Sequence, residues 1–444
     1  MNRPDRQAGS AGHAFEVIRD PLWDNIRLDE AAIAVVDSPV VQRLRYVRQL
    51  GHAFLVYPGA THSRFEHALG TYHLTKQVLG ILAERGELVD VSAEDHLATR
   101  LAALLHDIGH YPFSHSLEEA GFLHHEHLGV AKLQQGDLAE RLAEFGIPGL
   151  AGRVGDLIEG TSSSPLAGLI SGTLDLDKID YLSRDARMCG VPYGNVDVDR
   201  LLASLTLCPT DDRGTVVGIH EKGLSALESL LFARYQMYRN VYWHHAVRSA
   251  TCMFKRAVRV AVSDGALTTD AIADANDGAI TERLLAADTT GLANAVYHRK
   301  LFKRATDIPG NQLPVETQPW VWQDVALRER VEDALAKEVG LEPGELLLDL
   351  PARQAMFGVD LPLKTRSGAV EWLNDDSRSG AGELGVRGVA EELYHSAQRL
   401  RVFVARPVEI SSDDVLGVVT LPEGEVSRCL EAGEPLLSVW KTPG

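Results

Sequence analysis

Cysteine is scarce in this chain. Four are spread over 444 residues, at Cys189, Cys208, Cys252 and Cys429, and none forms a CxxC pair. That argues against a zinc ribbon or a disulfide framework and makes a reducing compartment the default. Long apolar runs are missing as well. No stretch approaches the ~18 apolar residues of a membrane span. The start, Met1 to Gly12, is polar with no apolar signal core, so a cytoplasmic protein is expected. Positive charge is in deficit: 44 Lys and Arg stand against 62 Asp and Glu, a formal net charge of -18. A chain this acidic is a poor general binder of nucleic-acid backbone. It can still hold a small anion where cations and a metal are gathered locally.

What is present is apolar content in helical pattern. At 45% apolar, the chain can build one large or two medium cores. Residues 1–14 are expected to be disordered. Phe15 to Ile18 reads as a short extended piece, and Asp20-Pro21-Leu22 as a turn. From about Asp29 to Val262 the pattern is mainly helical, broken by Gly and Pro. Ser92 reads as an N-cap with Asp95 at N3, and Leu97, Leu101, Leu104 and Leu105 follow at helical spacing. Ser263–Gly278 and Thr306–Gln318 are rich in Asp, Gly, Thr and Pro and read as loops around a helical hairpin. Val325–Val339 reads as helix, and Glu345–Leu350, Gly368–Leu373 and Arg401–Val404 as short strands. The expected fold is mainly α: a helical core over 15–263, a linker and hairpin over 264–320, and a smaller α+β lobe over 321–444.

The chemistry concentrates where the leucine-striped helix ends, in Leu104-Leu105-His106-Asp107-Ile108-Gly109-His110. A neutral imidazole beside a carboxylate suits one hard-to-borderline divalent cation. The dipeptide alone occurs by chance, and a lone helical histidine is ordinarily a packed structural residue. Its company matters more: His67 upstream in Arg64-Phe65-Glu66-His67, and Asp177 downstream in Asp175-Leu176-Asp177-Lys178. Two His and two Asp leave coordination positions open for water and a phosphate, the pattern of a hydrolase rather than a closed structural site.

Three longer stretches carry a resemblance. Pro58-Gly59-Ala60-Thr61-His62-Ser63-Arg64-Phe65-Glu66-His67, His106-Asp107-Ile108-Gly109-His110-Tyr111-Pro112-Phe113-Ser114-His115 and Asp177-Lys178-Ile179-Asp180-Tyr181-Leu182-Ser183-Arg184-Asp185 together resemble the HD-domain deoxynucleoside triphosphate (dNTP) triphosphohydrolases. The likeness runs from about residue 15 to 305, loosely beyond, and no SAM module is expected. It implies an HD-domain helical core with His67, His106, Asp107 and Asp177 as metal ligands. The metal would meet the α-phosphate and activate a water. Iron, manganese, magnesium and zinc all suit mixed His and carboxylate ligation. The resemblance makes His115 the proton donor to the 5′-oxygen and lines the phosphates with His110 and His125. Glu118 becomes the carboxylate that orients them, where a human member of the family has Asp. The adjoining His124 and His127 read as solvated neighbours.

The same resemblance puts Arg64, Lys178 and Arg234 on the triphosphate. It puts Gln49, Leu50, Tyr181, Asp185 and Tyr242 around a deoxyribose, with a tyrosine crowding the 2′ position. Tyr238 stands where the family has histidine. Tyr181 and Tyr242 also read simply as core aromatics with tethered hydroxyls. Asp37, Gln42 and Arg45 match guanine-reading residues of an activating GTP or dGTP site between subunits, with Arg200 and Lys222 on its phosphates; a helix start with Asp37 as N-cap and Arg45 on its exposed face is the plainer alternative. His220 and Ala226 depart from that pattern. The implied protein is a homo-oligomer, tetramer or dimer, that hydrolyses dNTPs. Its rivals are a phosphodiesterase or nucleotidase on the same core, and a nucleotide-sensing or nucleic-acid-binding protein with weak catalysis.

Overall fold

A computed structural model describes residues 15–351, 359–373 and 395–439; the expectation for residues 1–14 lies outside them. The chain opens on a hairpin of β1 (Glu16–Asp20) and β2 (Asp24–Leu28), turned at residues 21–23. Helices then dominate to residue 263. The long helix Arg64–Glu84 is buried along most of its length, with Gln77, Gly80, Ala83 and Glu84 left exposed near its end. Phe65, Ala68, Leu69 and Tyr72 join one apolar cluster, with Val35, Leu101 and Leu104. Leu74, Val78, Leu79 and Leu82 join a second, with Ile179, Leu182 and Leu230. The helices Ala93–Leu105 and Leu176–Cys189 pack against this axis from different sides. Ser92 caps the former as the sequence suggests, accepting the Asp95 N–H at 3.0 Å.

A hairpin, not expected from the sequence, interrupts the region read as mainly helical. β3 (Leu205–Thr210) and β4 (Gly214–His220) pair antiparallel. Leu205, Leu207, Val217 and Ile219 enter the second cluster, a period-two pattern too short to stand out among helices. Two further elements replace expected loop. Thr268 caps a short helix, Thr269–Ala273, and β5 (Lys303–Pro309) runs into the stretch read as linker.

The C-terminal region is α+β. The helix Val325–Glu338 backs a three-stranded sheet in the order β5, β9 (Arg399–Val404), β6 (Leu346–Asp349), over an apolar cluster of its own. The strands β7 (Leu361–Lys364) and β8 (Val370–Leu373) go elsewhere. They extend the β3–β4 hairpin into a four-stranded sheet and bury Leu361, Leu363 and Leu373 in the helical core's cluster. The fold is thus mainly α with a C-terminal α+β region. None of the described helices is long and apolar enough to cross a membrane.

Candidate metal centre and adjoining cavity

Three chain segments deliver the expected ligands to one point. His67 lies in the first turn of the Arg64–Glu84 helix, whose start is fixed by the Ser63 N–H donating to the Glu66 carboxylate at 2.6 Å. His106 is the C-cap of Ala93–Leu105, and Asp107 follows it. Asp177 is in the first turn of Leu176–Cys189, where Asp175 caps by accepting the Lys178 N–H at 2.9 Å. His67 Nε2 lies 3.2 Å from His106 Nε2, 2.8 Å from Asp177 Oδ1 and 3.8 Å from Asp107 Oδ2. His106 Nε2 lies 3.3 Å from Asp107 Oδ1 and 3.6 Å from Asp177 Oδ1.

Hydrogen bonding on the far side of each ring decides what fits between them. His67 Nδ1 faces Asp180 Oδ2 at 2.7 Å, and His106 Nδ1 faces the Ala103 carbonyl at 3.0 Å. Both partners can only accept, so both Nδ1 atoms carry hydrogen. The two Nε2 lone pairs then point at each other across 3.2 Å, beside two carboxylates. A positive charge between them, a proton or a metal ion, resolves that clash. The electrostatics agree. Burial opposes charge on His67, yet Asp177 and Asp180 override it and push the imidazole up to about 10. Against the same burial, His106 and His67 hold Asp177 well below the usual carboxylate range, and Arg64 does so for Asp107. The donor set fits a divalent cation, without choosing among iron, manganese, magnesium and zinc.

A second layer aims His67. Asp180 accepts from Trp23 Nε1 and from Arg184 Nε at 2.9 Å, and fully buried Arg184 also donates to Asp20 Oδ2 at 2.8 Å. Gly70 makes room for this chain: a Cβ there would lie 1.9 Å from Asp180 Oδ1 and 2.4 Å from an Arg184 nitrogen.

The remaining histidines form a linked cluster. His110 Nε2 lies 3.1 Å from Asp107 Oδ1, and its ring stacks on His125 at 3.6 Å between centroids. Gly109 permits the stack, because a Cβ there would meet the His125 carbonyl at 2.0 Å. Glu118 faces His125 Nδ1 at 2.9 Å and His115 Nδ1 at 3.3 Å. Burial pushes the Glu118 carboxyl up, but His115 and His125 hold it far below its ordinary value. Burial also resists charge on His115, and Glu118 overrides it, so His115 is raised. His110 is the opposite case, driven well down by burial and by Arg64. His115 is the exposed member of this cluster, at 59% of its side chain. The loop before it turns through two left-handed residues, Phe113 (φ 56°) and Ser114 (φ 63°). This conformation costs a non-glycine residue about 1–3 kcal/mol. It is held by the Phe113 N–H to Asp277 Oδ1 at 2.9 Å and by Ser114 Oγ to the Gln49 carbonyl at 2.8 Å.

A cavity of about 560 Å³ opens beside these groups. Gln49, Leu50, Arg64, Lys178, Tyr181, Asp185, Tyr238 and Tyr242 all line it, together with His115, Glu118 and Asp177. Arg234 is not among the residues that line it, and its guanidinium lies 5.8 Å from the Tyr238 ring centroid. Arg64 is tied to Asp107 at 2.7 Å, and Lys178 pairs with Asp175 and the Gly172 carbonyl. Sequence reasoning missed part of the lining. Trp322, Gln323 and Val325 arrive from the C-terminal region, and Arg248 spans the junction. Arg248 donates to Glu119 at 2.8 and 2.9 Å and to Asp349 at 2.6 Å, anchoring the residue next to Glu118 to β6. No motif spacing could reveal a tie across a hundred residues.

The expected activator residues form two groups. Arg45 donates to Gln42 Oε1 at 2.8 Å and lies over the Phe65 ring at 3.6 Å. Arg200 donates to the Lys222 carbonyl at 3.0 Å on other elements. Asp37 is the C-cap of the helix Glu30–Val36. Arg45 also lines a second cavity of about 800 Å³, with Arg48, Phe54 and Asp277.

The HD domain profile matches residues 64–185, and the HD associated region matches residues 196–378. An uncharacterized protein of Methanocaldococcus jannaschii is 38% identical over 290 residues, 65% of this chain and 59% of that protein. An uncharacterized protein of Bacillus subtilis is 37% identical over 241 residues, 54% of this chain and 52% of that one. The deoxynucleoside triphosphate triphosphohydrolase SAMHD1 of Homo sapiens is 26% identical over 401 residues, 78% of this chain and 62% of that enzyme. The chain thus spans between about half and three fifths of these relatives. A crystal structure of a hypothetical protein from Aquifex aeolicus superposes with a TM-score of 0.68 at 28% identity, covering 88% of this chain and 97% of that one. The chain thus carries an HD domain over residues 64–185, followed by an HD-associated region over residues 196–378.

Proposed function

We propose that the protein is a metal-dependent dNTP triphosphohydrolase, releasing a deoxynucleoside and inorganic triphosphate. One observation carries this reading. A single cavity joins the Asp177 edge of the metal centre to the Tyr181, Tyr242 and Asp185 wall, so a phosphate and a sugar can be held together. The likeness to SAMHD1 enzymes supports it.

A bound divalent cation supplies Lewis acidity at phosphorus and a nucleophile at neutral pH. The protein's own groups do the rest. His67, His106, Asp107 and Asp177 hold the cation. Arg64 and Lys178 bring positive charge to the phosphate end, Arg as a rigid fork and Lys as a point charge. His115 reaches the cavity with its pKa raised by Glu118, which favours the protonated form, and donates to the departing 5′-oxygen, a poor leaving group as an alkoxide. His110, held neutral, and His125 line the phosphates beside it. Gln49, Leu50, Tyr181, Asp185, Tyr238 and Tyr242 form the nucleoside wall, and Arg234, beside Tyr238, adds a further positive charge for the triphosphate.

Activation by GTP or dGTP belongs to the same proposal. Arg45 and Gln42 lie on other elements than Arg200 and Lys222, and we place the nucleotide that joins them at a contact between subunits of a tetramer or dimer. Arg45→Ala then blunts the response to guanine nucleotide more than basal turnover. A panel of dNTPs, rNTPs, nucleoside monophosphates and cyclic nucleotides tests the reading. Turnover confined to dNTPs supports it. Turnover of monophosphates or cyclic diesters means a nucleotidase or phosphodiesterase, and binding without turnover means a sensor.

A further inference from the structure

The sugar wall has a support outside the expected residue set. His62 is buried in the loop ahead of the Arg64–Glu84 helix, with Nε2 2.8 Å from Asp185 Oδ1. The other oxygen, Asp185 Oδ2, accepts from the Tyr242 hydroxyl at 2.7 Å. A carboxylate only accepts, so Nε2 is the donating nitrogen. Among the described residues His62 Nδ1 has no hydrogen-bond partner, so the ring directs its polar contact at Asp185. The loop is seated on the helix that carries Asp185: a Cβ on Gly59 would lie 2.4 Å from the Met188 carbonyl oxygen. Three elements therefore meet at one carboxylate: the loop, the Leu176–Cys189 helix, and the π-helical turn Tyr238–Tyr242. Such turns gather at functional sites, where they re-aim a side chain. The re-aimed ring of Tyr242 stands edge-on to Tyr181 at 6.4 Å and to Tyr238 at 5.0 Å.

We propose that His62 is a positioning residue that sets the 2′-deoxy preference of this site, an inference that rests on the nucleotide reading above. A carboxylate on a short side chain can turn about two torsions. His62 holds one oxygen, which fixes the other on the Tyr242 hydroxyl. Tyr242 then cannot swing aside, and the wall stays closed to an added hydroxyl. Without His62 the carboxylate turns, Tyr242 loses its acceptor, and the wall yields to a ribose. A site that discriminates by a rigid aromatic is only as selective as that aromatic is fixed.

The test is calorimetric binding of the α,β-imido dNTPs and their ribo counterparts to the full chain with Mn²⁺, for wild type, His62→Ala, His62→Gln and Gly59→Ala. Wild type prefers the deoxy form. His62→Ala loses about tenfold or more of that preference, mostly by gaining ribo binding, the scale of one buried hydrogen bond. His62→Gln offers an amide N–H near the same place and keeps the preference within about threefold of wild type. Gly59→Ala lifts the loop and behaves like His62→Ala, so it decides the matter should His62→Ala fail to fold. A merely structural His62 weakens both ligands alike. An unchanged deoxy-to-ribo ratio in His62→Ala, with wild type discriminating, overturns this inference alone. A wild type without preference overturns the nucleotide reading and this inference together.

Discussion

The imidazoles of His67 and His106 meet edge to face with their Nε2 atoms 3.2 Å apart, each ring locked from behind by an acceptor on Nδ1. Two imidazole nitrogens this close beside carboxylates call for a positive charge between them, which a divalent cation can supply. Its first consequence concerns Asp107, which is buried and bonded to Arg64 at 2.7 Å. Alanine there strands a buried guanidinium. Asp107→Asn keeps the shape and removes the charge. It is expected to stay folded by circular dichroism while elemental analysis shows the metal lost and hydrolysis disappears. Full metal occupancy with wild-type turnover would remove Asp107 from the ligand set.

Gly70→Ala acts one layer further out. The added methyl collides with Asp180 and Arg184, so His67 loses its orienting carboxylate. Metal affinity should fall about 10–100-fold, the usual cost of a lost outer partner. Competition with a chromogenic chelator measures it, and an unchanged affinity contradicts the role given to Asp180.

His115→Ala should leave the metal in place and lower kcat by about 10²–10⁴-fold, the range for a proton donor. Single-turnover kinetics alongside metal analysis separate this from a ligand defect. An undiminished rate excludes His115 as the acid.

Glu118→Gln carries a pH signature. Burial lowers His115, but the Glu118 charge overrides it and leaves the imidazole raised. Raising the pKa keeps the acid protonated to higher pH, so the rate falls only as pH climbs through that raised value. Removing the charge lowers the pKa, and the alkaline limb of kcat should move to lower pH. A profile of kcat from acid to alkaline pH reads the shift. A limb that stays in place, or moves up, contradicts the pairing.

The sequence exposed the candidate metal centre because its proposed ligands are rare residue types in an ordered arrangement, His67, His106-Asp107 and Asp177, in or next to helices. The cap at Ser92 was legible for the same reason, being local. The β3–β4 hairpin was not, because two short strands between helices carry too few alternations to register. Nor was β5, whose partner β9 lies about a hundred residues away. Among the site's supports, Asp180 and Arg184 sit four apart on one helix and could have been paired. His62 with Asp185, and Arg248 with Asp349, could not, since only the folded chain brings them together.

The most direct measurement is the product of hydrolysis in ¹⁸O-water. Purified protein is incubated with each dNTP and each of iron, manganese, magnesium and zinc, and the products are separated and weighed by mass spectrometry. Attack at the α-phosphorus with departure of the 5′-oxygen yields unlabelled deoxynucleoside and inorganic triphosphate carrying one ¹⁸O, only with metal and only with His67, His106, Asp107 and Asp177 intact. Deoxynucleoside monophosphate with pyrophosphate, or no product with any metal, would contradict it.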